Sequence, residues 1–237
     1  MTGGCATERT GRDACATVEA VLFDLDDTLI DREGAFRRTA EQLYISTPAL
    51  RADHSLGEVC ARLEAWDNDG RADRTWLFQQ AQHAWPEIEQ SIPRLLEWWF
   101  ETMPTQVLPD ERSLALARDL NAAGIPWGIV TNGGASQRPK IRAAGLETLA
   151  PFALCADEFG VRKPFRGVYE EALRLLGNRA AYTTLFVGDT PETDIKGAQE
   201  LGMVTAWVRR GWAYPAGMRP PDYEVQHVAE LRPLLLG

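Results

Sequence analysis

The sequence has no apolar run that approaches the roughly 20 residues that a helix needs to span a bilayer. Residues 1–20 also lack the apolar stretch of a secretory signal peptide. Positive charge is in short supply, because 25 Lys and Arg against 34 Asp and Glu give a net charge of -9. Non-specific nucleic-acid binding needs a positive field, so this balance argues against it. The sequence therefore predicts a cytoplasmic protein whose partners include neither a membrane nor a nucleic acid.

Cysteine is also scarce, with four residues in a chain of 237. Cys5, Cys15, Cys60 and Cys155 show no C-x-x-C spacing, and a chain of this length does not need disulfide bonds to form a stable core. Reduced thiols are therefore a simpler interpretation than a disulfide or a zinc site. The 45% hydrophobic content allows one substantial core and a second small layer or cap.

The first half of the chain contains two segments of different character. Residues 1–17 are rich in Gly, Thr, Ala and charge and have almost nothing to bury, which predicts a disordered tail. Residues 33–106 show no strand-like alternation and contain five of the eight tryptophans. Four prolines divide this stretch into short segments (Pro48, Pro86, Pro93 and Pro104). We interpret it as an all-helical insertion. Its tryptophans could stack on a substrate base, but helix packing explains most of them more simply.

The rest of the chain alternates between short apolar runs and helical segments. The predicted strands are Ala20–Phe23, 126–131, 152–156, 184–187, 204–208 and a possible edge strand at Tyr223–Val225. Such alternation indicates βαβ units and a parallel sheet. The predicted fold is α/β, a doubly wound parallel sheet formed by residues 18–32 and 107–237, with a smaller helical domain at 33–106 inserted after the first strand.

Three polar residues stand where predicted strands of this sheet end. They are Asp24, Thr131 and Asp189. In open parallel sheets the ligand binds beyond the carboxyl ends of the strands. The position of these residues, rather than their chemistry, therefore selects them as a candidate site.

The segment Asp24-Leu25-Asp26-Asp27-Thr28 leaves the first strand with two carboxylates that can reach one cleft. One carboxylate can attack phosphorus to give an aspartyl-phosphate, and the other can protonate the leaving oxygen and then deprotonate water. Acids crowded in this way need a cation, and Mg²⁺ prefers oxygen ligands. The alternative is a solvated acidic turn, but the position after a buried strand favours the catalytic interpretation.

Three later segments offer the remaining chemistry. Thr131 and the Asn132 amide can hold phosphate oxygens, although T-N-G is also an ordinary turn. Lys163 can restrain a nucleophilic carboxylate, although a single lysine is more commonly solvated. Asp189 is placed to bind a metal, with Asp194 as a second ligand or as a residue that positions one. Acidic capping of a helix is the alternative for that last pair.

These elements, in this order, resemble the motifs of the haloacid dehalogenase (HAD) superfamily: D-x-D-x-T at 24–28, Thr131, Lys163 and GDxxxxD at 188–194. The resemblance covers roughly residues 19–232. It implies a Rossmann-like core whose helical insertion is a C1 cap, with residues 29–37 as the hinge and flap that couple cap closure to the site.

The resemblance also implies a role for each matched residue. Asp24 is the implied nucleophile and a Mg²⁺ ligand, and Asp26 is the general acid/base that also binds Mg²⁺ through its backbone carbonyl. Lys163 steadies Asp24 and the phosphate, which Thr131 and Asn132 also hold. The implied metal set is completed by Asp189, and the implied supporting residues are Thr28 and Asp194.

Asp26 separates the branches of this superfamily, because members that cleave carbon–halogen bonds lack an acid there. We therefore expect Mg²⁺-dependent hydrolysis of a phosphate monoester of a small metabolite by a monomer or homodimer. A sugar phosphomutase using the same intermediate is the alternative enzyme. A non-catalytic phosphate-sensing scaffold is the alternative from another class, although it has no need of the full catalytic set.

Overall fold

The computed structural model describes residues 17–134 and 136–237. The predicted tail, apart from residue 17, lies outside the described residues, as do Cys5 and Cys15. The described chain forms two compact units. The first contains the residues up to Ile30 together with Pro109–Gly237, and the second is Asp31–Leu108. The predicted insertion, residues 33–106, lies within the second unit.

The first unit contains a six-stranded sheet in which every strand pair is parallel. Its strands are β1 (Ala20–Phe23), β2 (Trp127–Thr131), β3 (Ala153–Cys155), β4 (Thr184–Gly188), β5 (Val204–Val208) and β6 (Tyr223–Val225). They lie in the order β3-β2-β1-β4-β5-β6. After β1, strands β2 and β3 are added on one side of it. The later strands β4, β5 and β6 are then added on its other side. This arrangement confirms the predicted α/β fold with a parallel sheet.

Five helices make up the second unit. They are α1 (Arg32–Ser46), α2 (Pro48–Asp53), α3 (Leu56–Asp67), α4 (Arg74–Ala84) and α5 (Ile92–Thr105). Pro48 and Pro93 stand in the first turns of α2 and α5, where a missing N–H costs little. Pro104, which was expected to separate helices, lies instead in the last turn of α5.

Aromatic side chains fill the centre of this helical unit. Trp99 is buried and packs with Phe36 and Phe78, with ring centroids 5.0 and 5.6 Å apart. Trp85 is also fully buried, whereas Trp76 is 44% exposed. Packing therefore accounts for Trp85 and Trp99, in agreement with the sequence-based expectation, but it does not account for Trp76.

The described part of the first unit also contains six α-helices, five of which lie between strands while the last follows β6. They are α6 (Glu111–Ala123), α7 (Gln137–Ala143), α8 (Ala156–Phe159), α9 (Arg166–Leu175), α10 (Lys196–Glu200) and α11 (Arg232–Leu236). Asp110 caps α6 by accepting a hydrogen bond from the Ser113 amide, and Gly124 ends it in the left-handed conformation. The predicted C-terminal helix at 228–236 is a 3₁₀ turn followed by α11.

One face of the sheet packs on α9 and α10. Leu22, Val130 and Phe186 from adjacent strands meet Val168 and Tyr169 of α9 in this core. The described cysteines, Cys60 and Cys155, are buried and free. Over residues 17–134 and 136–237, no helix combines the length and apolar character needed to cross a membrane.

Candidate functional site

The site lies at the ends of β1 and β4, the two strands between which the order of the sheet reverses. Ligands of open parallel sheets bind at such a reversal, because the loops leaving the two strands diverge there. Asp24 follows β1, and its backbone N–H donates to the Val187 carbonyl of β4 at 2.8 Å. Asp189 follows β4. The topology therefore places two carboxylates at the mouth of one crevice.

The loop after Asp24 folds back onto the backbone of Leu25. The amides of Thr28, Leu29 and Ile30 all point to the Leu25 carbonyl, at 3.3, 3.0 and 3.1 Å. Leu25 is fully buried and anchors this turn in the core. The Thr28 hydroxyl is buried, and no hydrogen-bond partner for it occurs among the described residues. The turn holds Asp24 and Asp26 at its base.

Lys163 is the cation at the centre of the site. Its Nζ lies 2.5 Å from Asp24 Oδ1 and 2.8 Å from Asp194 Oδ1, and its side chain is only 2% exposed. The Asn132 side chain holds the Lys163 backbone at both ends, accepting from its N–H at 2.7 Å and donating to its carbonyl at 3.0 Å. The Asn132 side chain thus fixes the lysine, and the phosphate-binding role expected of the Asn132 backbone amide stays a prediction.

Asp194 reaches the site from an unusual turn. Pro191–Ile195 forms one π-helical turn before α10. The Asp194 side chain accepts from the Thr190 amide at 3.0 Å. A Cβ on Gly188 would lie 2.4 Å from the Asp194 carboxyl carbon, so that only glycine leaves room for it. The wider turn thus brings Asp194 back beneath the end of β4.

Asp189 has a second cation beside it. Arg210 Nη1 lies 3.3 Å from Asp189 Oδ2 and 3.2 Å from Asp27 Oδ2. The Trp207 indole donates to the Asp189 carbonyl at 2.7 Å, which fixes the backbone there. Arg210 follows β5 and has a φ of 42°, in the left-handed region. Sequence reasoning missed this arginine, because no motif includes it.

Burial and crowding change the ionisation of these carboxyl groups. Burial, reinforced by Asp194 and Asp26, raises the pKa of Asp24 to about 7 despite the opposing effect of Lys163. Burial, with Asp194, Asp24 and Asp27, also raises the pKa of Asp189 well above its usual range. Burial opposes the charge of Lys163, but Asp194 and Asp24 outweigh it and raise the pKa of the amine. The site holds more negative charge than its cations offset.

Three carboxylates of the site lie close enough together that they could hold a hard metal ion. Asp24, Asp189 and Asp194 each offer one oxygen, and these oxygens all lie within 4.8 Å of one another. An all-oxygen set suits Mg²⁺. A divalent ion would relieve the repulsion that raises the pKa values of Asp24 and Asp189. The donor set therefore fits the metal expected from the sequence.

The Asp26 carboxylate is held by two residues that sequence reasoning missed. Lys140 Nζ lies 2.8 and 2.9 Å from its two carboxylate oxygens. Gln137 Nε2 donates to Asp26 Oδ2 at 2.8 Å and to Thr131 Oγ1 at 2.9 Å. The spacing of Gln137 and Lys140 places them on one face of α7, which was the available signal. Asp26 and Thr131 are thus joined through a helix that no motif includes.

Comparisons with known proteins show what the chain is similar to. A family model described as haloacid dehalogenase-like hydrolase matches residues 18–202. The chain is 29% identical over 227 residues to the glyceraldehyde 3-phosphate phosphatase of Methanopyrus kandleri, which covers 90% of this chain and 95% of that protein. It is 27% identical to the N-acylneuraminate-9-phosphatase of Rattus norvegicus, covering 92% and 94% of the two chains. The crystal structure of a HAD phosphatase from Thermococcus onnurineus is similar with a TM-score of 0.65 and 25% identity, over 92% of this chain and 98% of that one.

Proposed function

The chain belongs to the haloacid dehalogenase-like hydrolases, and on this premise we propose that it hydrolyses phosphate monoesters of small molecules through a phosphorylated Asp24. The observation that carries the proposal is the pairing of a buried Asp24 with Lys163 at 2.5 Å, beside two further carboxylates. A carboxylate that is held by a buried cation, next to carboxylates that could bind a metal ion, is suited to attack phosphorus. Its curated relatives are phosphatases.

The proposed reaction uses the side chains in two steps. Asp24 attacks phosphorus while the bond to the leaving oxygen breaks, and Asp26 gives its proton to that oxygen. Water then attacks the phosphorus and returns a proton to Asp26, and the Asp24–phosphorus bond breaks to release phosphate. Lys163 keeps Asp24 oriented and offsets the charge of the transition state.

Asp24, Asp189 and the backbone carbonyl of Asp26 would hold Mg²⁺ in this proposal, and Asp194 either joins them or positions them through Lys163. When bound, the ion neutralises phosphate charge and orients the attack. Thr131 and the Asn132 amide would hold phosphate oxygens, and Thr28 would support the loop. We further propose that the helical unit, Asp31–Leu108, is the cap that selects the substrate.

The substrate is a small phosphorylated metabolite whose identity the relatives do not determine. Two phosphatases of nearly equal identity to this chain have names that specify chemically different substrates, a triose phosphate and an acylated sugar-acid phosphate. We favour hydrolysis over a phosphomutase reaction because the curated relatives are named as phosphatases. We also expect the protein in the cytoplasm, where Cys60 and Cys155 stay reduced.

The first test measures metal dependence. We expect phosphate release from para-nitrophenyl phosphate with Mg²⁺ and its loss when a chelator is added, because the acidic cluster repels a phosphate dianion without the ion. Restoring excess Mg²⁺ should restore the rate. Equal rates with Mg²⁺ and with chelator would contradict the metal assignment, and no release from any phosphate ester would contradict the proposed function.

The second test uses the pKa of Asp24, which burial raises from 3.8 to about 7 in the metal-free protein. Mg²⁺ must displace the proton, so its apparent affinity should fall by up to about tenfold per unit below pH 7 and level off above it. In the metal-free protein, the stability that this carboxyl group contributes is fully present below about pH 4 and is lost as the pH rises through about 7. Calorimetric Mg²⁺ titrations at about pH 6 and pH 8 measure the first effect. Equal affinity at both values would contradict it.

A further inference from the structure

Lys140 and Gln137 are committed to Asp26 although the reaction described above gives them no role. Together they place three hydrogen bonds on one carboxylate, two from Lys140 Nζ and one from Gln137 Nε2, at 2.8 to 2.9 Å. Lys140 is 7% exposed and Gln137 is 4% exposed. A long amine and an amide held this deeply lose rotamer freedom and hydration, which a solvated surface pair does not. The contact of Lys140 and Gln137 with Asp26 is therefore part of the folded interior and not a chance pairing on the surface.

The local chain is shaped to let Gln137 make this contact. A Cβ on Gly133 would lie 2.3 Å from Gln137 Nε2, so that a larger residue there would displace the amide. The other end of the amide, Oε1, is buried and lacks a hydrogen-bond partner among the described residues. A buried hydrogen-bond acceptor without a partner destabilises the folded protein. The Gln137 amide is thus oriented so that its N–H group donates to Asp26 and Thr131, although its oxygen is left without a partner in the described part of the chain.

Fixing Asp26 matters because a general acid must stay within hydrogen-bond reach of the oxygen that it protonates. Three donors set both the position and the plane of the carboxylate. The same amide ties it to Thr131, at the end of the neighbouring strand β2. Misplacing a reacting group by about 1 Å can lower a rate by about a hundredfold. We propose that Lys140 and Gln137 are positioning residues that fix the Asp26 carboxylate for its two proton transfers, an inference that rests on the proposed function.

The test compares two esters of similar size that differ in how much their leaving group needs a proton. Para-nitrophenolate leaves readily without protonation, whereas phenolate needs the acid. The value of kcat/KM reports the steps up to loss of the leaving group. In Lys140→Met we expect kcat/KM for phenyl phosphate to fall by about tenfold or more, and that for para-nitrophenyl phosphate by less than about threefold. Gln137→Leu should show the same selectivity with a smaller loss.

A second comparison separates positioning from general damage. In an Asp26→Asn background, Lys140→Met should cause no further loss, because the residue acts only through the Asp26 carboxylate. Lys140→Arg, which keeps the charge, should recover part of the phenyl phosphate rate. Lys196→Met makes the same chemical change at an exposed position of α10 and should leave both rates unchanged. Thermal melting of every variant verifies that it is folded.

The outcomes distinguish the positioning role of Lys140 and Gln137 from the proposed phosphatase function. The positioning role would be overturned if Lys140→Met lowered kcat/KM equally for the two esters. It would also be overturned if Lys140→Met lowered kcat/KM as much in the Asp26→Asn background as in the wild type. If Lys140→Met does not fold, the ester comparison in Gln137→Leu decides the matter by the same criterion. A wild-type protein that cleaves neither ester with Mg²⁺ would overturn the proposed phosphatase function itself.

Discussion

Replacing Asp24 by asparagine is expected to lower kcat for phosphate release by at least about a thousandfold, because the neutral amide cannot attack phosphorus. The fold should survive the change. Asparagine has nearly the shape of aspartate, and it removes a charge from a site where burial, Asp194 and Asp26 already disfavour ionisation. Lys163 retains Asp194 as its partner at 2.8 Å.

This prediction is measured by phosphate release with Mg²⁺, alongside thermal melting of the metal-free protein. Asp53→Asn makes the same change at an exposed position of α2 and provides the matched control. Acid-quenched wild type should carry phosphate on the peptide that contains Asp24, and the variant should not. A variant with near-normal kcat would remove Asp24 from the role of nucleophile.

Replacing Lys163 by methionine is expected to have the largest effect on stability. The change leaves Asp24 and Asp194, both at least nine-tenths buried, without the cation that links them. Removing one partner of a buried ion pair typically costs about 3–5 kcal/mol of unfolding free energy. We expect a loss of this order at pH 8 and a smaller one near pH 6, where Asp24 carries a proton.

Chemical denaturation of the metal-free protein gives the free energy directly, and Lys196→Met should change it by less than about 0.5 kcal/mol. Mg²⁺ should recover part of the stability of Lys163→Met, because a divalent ion can replace the missing charge among the carboxylates. A loss below about 1 kcal/mol in both pH ranges would show that Lys163 is not what stabilises the buried acids.

The sequence predicted the strands well because apolar runs buried on both faces leave a plain pattern. Ala20–Phe23 and Val204–Val208 begin and end at the predicted residues. The rule that ligands bind at strand ends then selects Asp24 and Asp189 from the sequence alone. The crevice itself comes from the strand order, with β1 beside β4, which a pattern of single strands does not contain.

The contacts that complete the site were not predictable from local pattern. Lys140 and Asp26 are 114 positions apart, and a lysine on a short helix has the same local pattern whether it pairs or faces water. Arg210 reaches Asp27 and Asp189 from a left-handed residue after β5, a conformation that an arginine does not signal. The π-helical turn at Pro191–Ile195 has the composition of an ordinary acidic helix start. Each of these three features depends on which residues the tertiary fold brings together and not on the local secondary-structure propensity.

The paired charges of the site have a consequence for which ions and ligands it can accept. Among the described residues, five aspartates are tied by ion pairs or by the carboxylate cluster to three cations, and these eight side chains carry a formal excess of two negative charges. A divalent ion makes the group electroneutral, whereas a monovalent ion leaves it anionic. The valence of the ion, and not only its size, thus determines whether a doubly charged phosphate meets repulsion within a protein of net charge -9.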